Sequence, residues 1–245
     1  MNFEQFTVEA SGYSRTVWLS GGPKEIPHPL CIFLDGEFYL ERLELASILE
    51  KAIADGRIPE MSIAVLSHNG HQARHEDNVC SDRYARFVAQ DLFNWARSRV
   101  DSIRANRNII CGLSLSGLAS AHIHLTYPQV FSSSLSQSGS FWWNRKWFAG
   151  LVPKHVPTNS RYWLSVGDEE TVESATHPPS GMLQEFSQIV GVKSAADALK
   201  TAGAQVTYNE FHGGHAAAPW MSELPDALEW LTASSTVDRQ FEAVL

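Results

Sequence analysis

Short runs of β-branched and aromatic residues recur along the chain, separated by longer segments whose apolar positions follow helical spacing. Residues 16–19 and 30–34 read as strands, the second ending at the turn signal Asp35-Gly36. Residues 43–54 have helical composition, and 61–66 form another apolar, β-branched run. A polar loop over 67–81 leads into a helix with Tyr84, Val88, Leu92 and Trp95 along one face, capped by Ser81 or Asp82. Strands are predicted at 108–111, 130–135, 161–166 and 205–211, with helices at 115–127, ended near Pro128, and at 182–202. A last helical segment covers 225–231 and places Asp226 in its first turn, where acids are favoured.

Apolar strands alternating with helices predict an α/β protein, a mostly parallel central sheet with helices on both faces. Sheets of this kind bind ligands beyond the carboxyl ends of their strands. The small and polar residues fall at those ends: Asp35-Gly36-Glu37, Ser67-His68-Asn69, Ser114, Ser138-Gly139-Ser140, Gly167-Asp168-Glu169-Glu170 and His212-Gly213-Gly214-His215. At 245 residues the expected organisation is a single domain over 1–245.

Composition narrows the function classes. The formal net charge of -8 and the dispersed Lys and Arg argue against a nucleic-acid partner. No apolar stretch approaches the ~18 residues that span a bilayer, so no membrane partner is expected. The opening Met1-Asn2-Phe3-Glu4 lacks the basic start and apolar centre of a secretory signal, which predicts a cytoplasmic location. Cys31, Cys80 and Cys111 are widely spaced, and two of them sit in apolar runs, so neither a disulfide nor a zinc site is expected.

The candidate chemistry centres on Ile109-Ile110-Cys111-Gly112-Leu113-Ser114-Leu115-Ser116-Gly117. A strand that turns sharply into a helix through small residues presents the middle side chain outward, which is how a nucleophilic serine is displayed. A serine hydroxyl needs a base within hydrogen-bond reach and a third group to orient that base. In α/β hydrolases the order is Ser, acid, His, each at a later strand end. Here that order is met by Ser114, then Glu170, with Asp168 as the alternative acid, then His215, with His212 as its local competitor. The usual G-x-S-x-G turn has its second glycine replaced by Ser116, the rival nucleophile. An oxyanion hole is expected from the backbone N–H of Leu115 and from the Gly36-Glu37 turn.

Several segments together resemble one family. Phe33-Leu34-Asp35-Gly36-Glu37-Phe38, the serine turn with Leu118-Ala119, Leu135-Ser136-Gln137-Ser138-Gly139-Ser140-Phe141-Trp142-Trp143, and Gly213-Gly214-His215 through Trp220 resemble the catalytic domain of enterochelin esterases, within the esterase D-like α/β hydrolases. The resemblance spans about residues 30–230, and its most specific element is the Leu-Ser-Gln-Ser-Gly-Ser-aromatic-Trp run from Leu135 to Trp142. It implies an α/β-hydrolase fold and hydrolysis of the lactone bonds of catecholate trilactone siderophores, with no metal or other cofactor of the enzyme's own. It also implies Ser114 as nucleophile, His215 as base and Glu170 as acid. A ferric tris-catecholate is anionic and aromatic, so Arg74, Trp142 and Trp143 are the substrate-binding candidates. A general carboxylesterase or acyltransferase for another acyl substrate, and a non-catalytic binding scaffold, are the competing expectations.

Overall fold

In the computed structural model the described residues are 1–233. In chain order they form β1 (Glu4–Ala10), β2 (Tyr13–Ser20), β3 (Leu30–Phe33), α1 (Gly36–Glu41), α2 (Leu45–Ala54), β4 (Ser62–Leu66), α3 (His71–Asp77) and α4 (Asp82–Arg86). A π-helical stretch, Phe87–Leu92, joins α4 to α5 (Phe93–Arg99). There follow β5 (Asn108–Leu113), α6 (Ser114–Thr126), β6 (Phe131–Gln137), α7 (Trp143–Leu151), β7 (Arg161–Gly167), β8 (Ala175–His177), β9 (Met182–Gln184), α8 (Gln188–Thr201), β10 (Gln205–Phe211) and α9 (Ala217–Thr232).

Eight strands form one sheet in the order β1-β2-β4-β3-β5-β6-β7-β10. The pairings from β4 through to β10 are parallel, and β2 alone runs against the rest, pairing antiparallel with both β1 and β4. Alternation along each strand divides the core between the two faces. Leu30, Ile32, Ala64 and Ile110 pack on one side with Phe87, Val88 and Leu92 from the π-helical stretch and with Ile123 from α6. Cys31, Phe33, Ile63, Val65 and Cys111 face the other side, against Leu49 of α2 and Leu224 and Leu228 of α9. Tyr162, Leu164 and Val166 of β7 pack with α6 and α8. Helices therefore cover both faces, which leaves the carboxyl ends of β3, β5, β6, β7 and β10 as the ligand edge. The three cysteines are free, and Cys31 and Cys111 are buried as small apolar groups.

Four expectations need correcting. β1 was not anticipated; its register with β2 runs from Glu4 opposite Leu19 to Ala10 opposite Tyr13, closed by the left-handed Ser11 and Gly12. The polar 67–81 segment is not all loop, since it contains α3. The segment expected as helix from 182 begins instead as β9, antiparallel to β8, and the helix starts only at Gln188, where Ser187 accepts a hydrogen bond from the Val190 N–H. The last helix starts at Ala217, so Asp226 lies in its middle and accepts from Arg57 at 2.6 Å. Of the two candidate caps before α4, Ser81 takes the role through the Tyr84 N–H.

Candidate active site

The turn from β5 into α6 is built around backbone proximity. Ser114 opens the helix with φ of 52°, in the left-handed region that costs an L-residue about 1–3 kcal/mol and recurs where a side chain is displayed for function. A Cβ on Gly112 would lie 2.1 Å from the Ser116 carbonyl oxygen, so that position admits only glycine. Ser116 is fully buried, and its hydroxyl donates to the Leu113 carbonyl at 2.9 Å while accepting from the Leu113 N–H at 3.0 Å. Its side chain is folded back onto its own turn, which explains how serine replaces the usual second glycine. Gly117 then brings α6 against the end of β6, where a Cβ would meet Ser136 Oγ at 2.8 Å.

Two loops bring the acid and the histidine together. Gly167 closes β7 so tightly that a Cβ would sit 2.1 Å from the Gly213 carbonyl oxygen, and Asp168 donates its N–H to the Phe211 carbonyl at 2.9 Å. The loops after β7 and β10 are thus laced side by side. Glu170 is buried, with Oε1 accepting from Ser138 Oγ at 2.5 Å and from the Gly167 N–H at 2.8 Å. Its other oxygen lies 2.6 Å from His215 Nδ1. An ionised carboxylate only accepts, so Nδ1 carries the proton and Nε2 is left with its lone pair. Asp168 does not reach His215. It is exposed, and the Gly213 N–H and then His212 hold its carboxyl below the usual range, while Asp168 in turn raises His212.

Ser114 and His215 line one cavity of about 440 Å³, together with Leu115 and Glu170. Its far wall comes from α3 and the β8–β9 hairpin. Arg74 lines it, but the guanidinium forms a bidentate pair with buried Asp35 at 2.7–2.9 Å. His75 beside it meets Ser180 Oγ at 2.8 Å and is held below the ordinary histidine range by burial and then by Arg74. Trp142 is buried on the cavity wall, donating Nε1 to Gln188 at 2.6 Å and stacking over His177 with ring centroids 5.1 Å apart. Trp143 lies outside this lining and packs edge-on to Trp147. Gly36 lies close against the end of β4, where a Cβ would be 2.9 Å from the Leu66 carbonyl oxygen, and Glu37 accepts from Ser67 Oγ and the His68 N–H. Exposed Asp168, Glu169 and His212 place ligand atoms within 4.8 Å of one another at the rim, with Asp168 and His212 already paired.

Sequence reasoning passed over three groups at this site. Ser138, inside the Leu135-to-Trp142 run, touches the acid, and Trp220 both donates to Ser138 Oγ at 2.9 Å and stands edge-on to His215 at 4.8 Å. The hairpin residues His177, Met182 and Gln184 supply a cavity wall, the last two in a segment read as helix. A hydroxyl at a sharp turn, an imidazole with a fixed tautomer and a half-enclosed cavity form an arrangement suited to acyl transfer.

A model of the family described as "Putative esterase" matches residues 16–231. In sequence the chain is similar to an iron(III) enterobactin esterase of Dickeya dadantii, 29% identical over 228 residues that cover 89% of this chain and 51% of that protein. It spans about half the length of the curated relatives it matches. In structure it is similar to the enterobactin esterase of Shigella flexneri crystallised in the presence of enterobactin, with a TM-score of 0.78 and 22% identity over 94% of this chain and 59% of that one. An IroE-like serine hydrolase of Shewanella oneidensis superimposes with a TM-score of 0.75 and 17% identity, covering 96% of this chain and 82% of that one. These likenesses establish the α/β-hydrolase fold.

Proposed function

The chain belongs to the esterase family whose model spans residues 16–231, and from that membership we propose that it is a serine carboxylester hydrolase that opens the lactone bonds of a catecholate trilactone siderophore through an acyl-enzyme. The observation that carries the reading is the 2.6 Å contact between buried Glu170 and His215 at a cavity that Ser114 also lines. Glu170 orients the imidazole so that Nε2 takes the Ser114 proton as Oγ attacks the ester carbonyl. The oxyanion is held by the Leu115 N–H and by the backbone N–H groups of Gly36 and Glu37 at the start of α1, each donor contributing ~3 kcal/mol to the transition state. Collapse of the tetrahedral intermediate breaks the acyl C–O bond, and His215 returns the proton to the leaving alkoxide. Water then attacks the acyl-enzyme by the same route and frees Ser114.

The substrate class is supported by the names of the similar proteins, iron(III) enterobactin esterase among them, and by an aromatic wall at Trp142. One observation favours a second reading, hydrolysis of simpler aryl esters. Among the described lining residues the Arg74 cation is already engaged by Asp35, which leaves it less free to meet an anionic ferric complex. Incubation of the protein with an iron-free trilactone, its ferric complex and simple aryl esters, read by mass spectrometry, separates the two. Conversion of a trilactone to the linear trimer supports the siderophore assignment, and cleavage of the aryl esters alone overturns it.

A further inference from the structure

The Leu135-to-Trp143 run is the most distinctive stretch of the sequence, yet the chemistry above uses only Trp142 from it. We propose that Ser138, with Trp220 behind it, is a positioning residue that fixes the rotamer of Glu170 and through it the orientation of His215. The proposal rests on the esterase reading.

Ser138 is fully buried, with φ of 47°. Its peptide is pinned on both sides, since its N–H donates to the Ser165 carbonyl at 2.9 Å and its carbonyl accepts from Gln188 Nε2. The hydroxyl stands between Trp220 Nε1 at 2.9 Å and Glu170 Oε1 at 2.5 Å. An indole N–H can only donate and a carboxylate can only accept, so the direction of the Ser138 proton is decided by its neighbours: it points at Glu170. With the Gly167 N–H as second donor, Oε1 is held from two sides and Oε2 is left for His215. Trp220 then closes a ring of four contacts, because its indole stands at 89° to the His215 imidazole. A glutamate has one more side-chain torsion to restrain than an aspartate, so an acid of this length needs such a clamp to be ready before substrate arrives. Without Ser138, only the Gly167 N–H would hold Oε1, and the carboxylate could swing away from Nδ1.

The test is a double-mutant cycle between S138A and E170Q on the purified chain, with 4-nitrophenyl butyrate as substrate, beside proton NMR of the downfield His215 Nδ1–H. The expected result is a fall in kcat of about 10–100-fold in S138A with KM within about two-fold, and a further effect below about two-fold once Gln occupies position 170. The Nδ1–H signal should broaden or move upfield in S138A. An equal loss of kcat in both backgrounds, or an unchanged kcat and proton signal, overturns the proposal. If S138A fails to fold, W220F carries the same comparison, since it keeps an aromatic ring against His215 while removing the indole N–H together with part of the ring's volume. A wild-type chain that cleaves no ester would defeat the esterase reading, while the NMR comparison would still decide whether Ser138 positions His215.

Discussion

At residue scale, the choice between acids turns on burial and reach. Asp168 sits nearer the strand end and was an open alternative in the sequence, because one turn holding three carboxylates does not say which points inward. The lacing of Gly167 against Gly213 decides it, turning Glu170 under the imidazole and leaving Asp168 on the surface with His212. E170Q should therefore lower kcat by about 10³–10⁴-fold with the fold intact, and D168N should stay within about two-fold, in steady-state assays on an aryl ester. Ser116 differs from Ser114 in the same physical terms, since its hydroxyl is spent on the Leu113 backbone. S116A should cost about 1–2 kcal/mol in urea denaturation without removing reactivity at Ser114. Ser114, Glu170 and His215 were legible because their order along the chain carries the information. Ser138 and Trp220 were not legible as partners of the acid, because their contacts join positions 32 and 82 residues apart in sequence.

At the scale of elements, strands buried on both faces were read correctly because their apolar runs are continuous and end in turn residues, as 61–66 does at β4. The failures have local causes. β8 and β9 are three residues each, too short for any period to show, and β9 is held by pairing with β8 and by Gln184, which meets His177 and the Val172 carbonyl. α9 begins upstream of Pro219 and Pro225 because buried Trp220, Leu224 and Leu228 anchor it along one side, a tertiary effect that outweighs proline's reading as a helix start. The elbow makes the strictest demand of any element. G112A places a methyl group against the Ser116 backbone, where nothing flexible can yield, and should destabilise the chain by more than about 3 kcal/mol. Chemical denaturation alongside S116A measures it.

At the scale of the whole molecule, no helix among the described residues is long and apolar enough to cross a membrane, and stability depends on one buried histidine far from the chemistry. His124 is fully buried on α6, stacked 4.2 Å from Tyr162, and neither ring nitrogen has a hydrogen-bond partner among the described residues. Burial pushes it down to about 3. The unfolded chain takes up this proton near pH 6.5, whereas the folded chain refuses it until about pH 3, so unfolding binds a proton between those values. Stability is full above pH 6.5 and declines as pH falls, by on the order of 5 kcal/mol in all. Urea midpoints followed from pH 8 to pH 4 should decline in the wild type and decline less in H124F, which keeps the stack on Tyr162. The central claim is that Ser114 is a nucleophile made reactive by His215 and Glu170. Reaction of the intact chain with a fluorophosphonate, mapped by peptide mass spectrometry, tests it most directly. The account predicts one label on Ser114 that disappears in S114A and forms far more slowly in H215A. A label on Ser116, or a wild-type chain that takes up none, would contradict it.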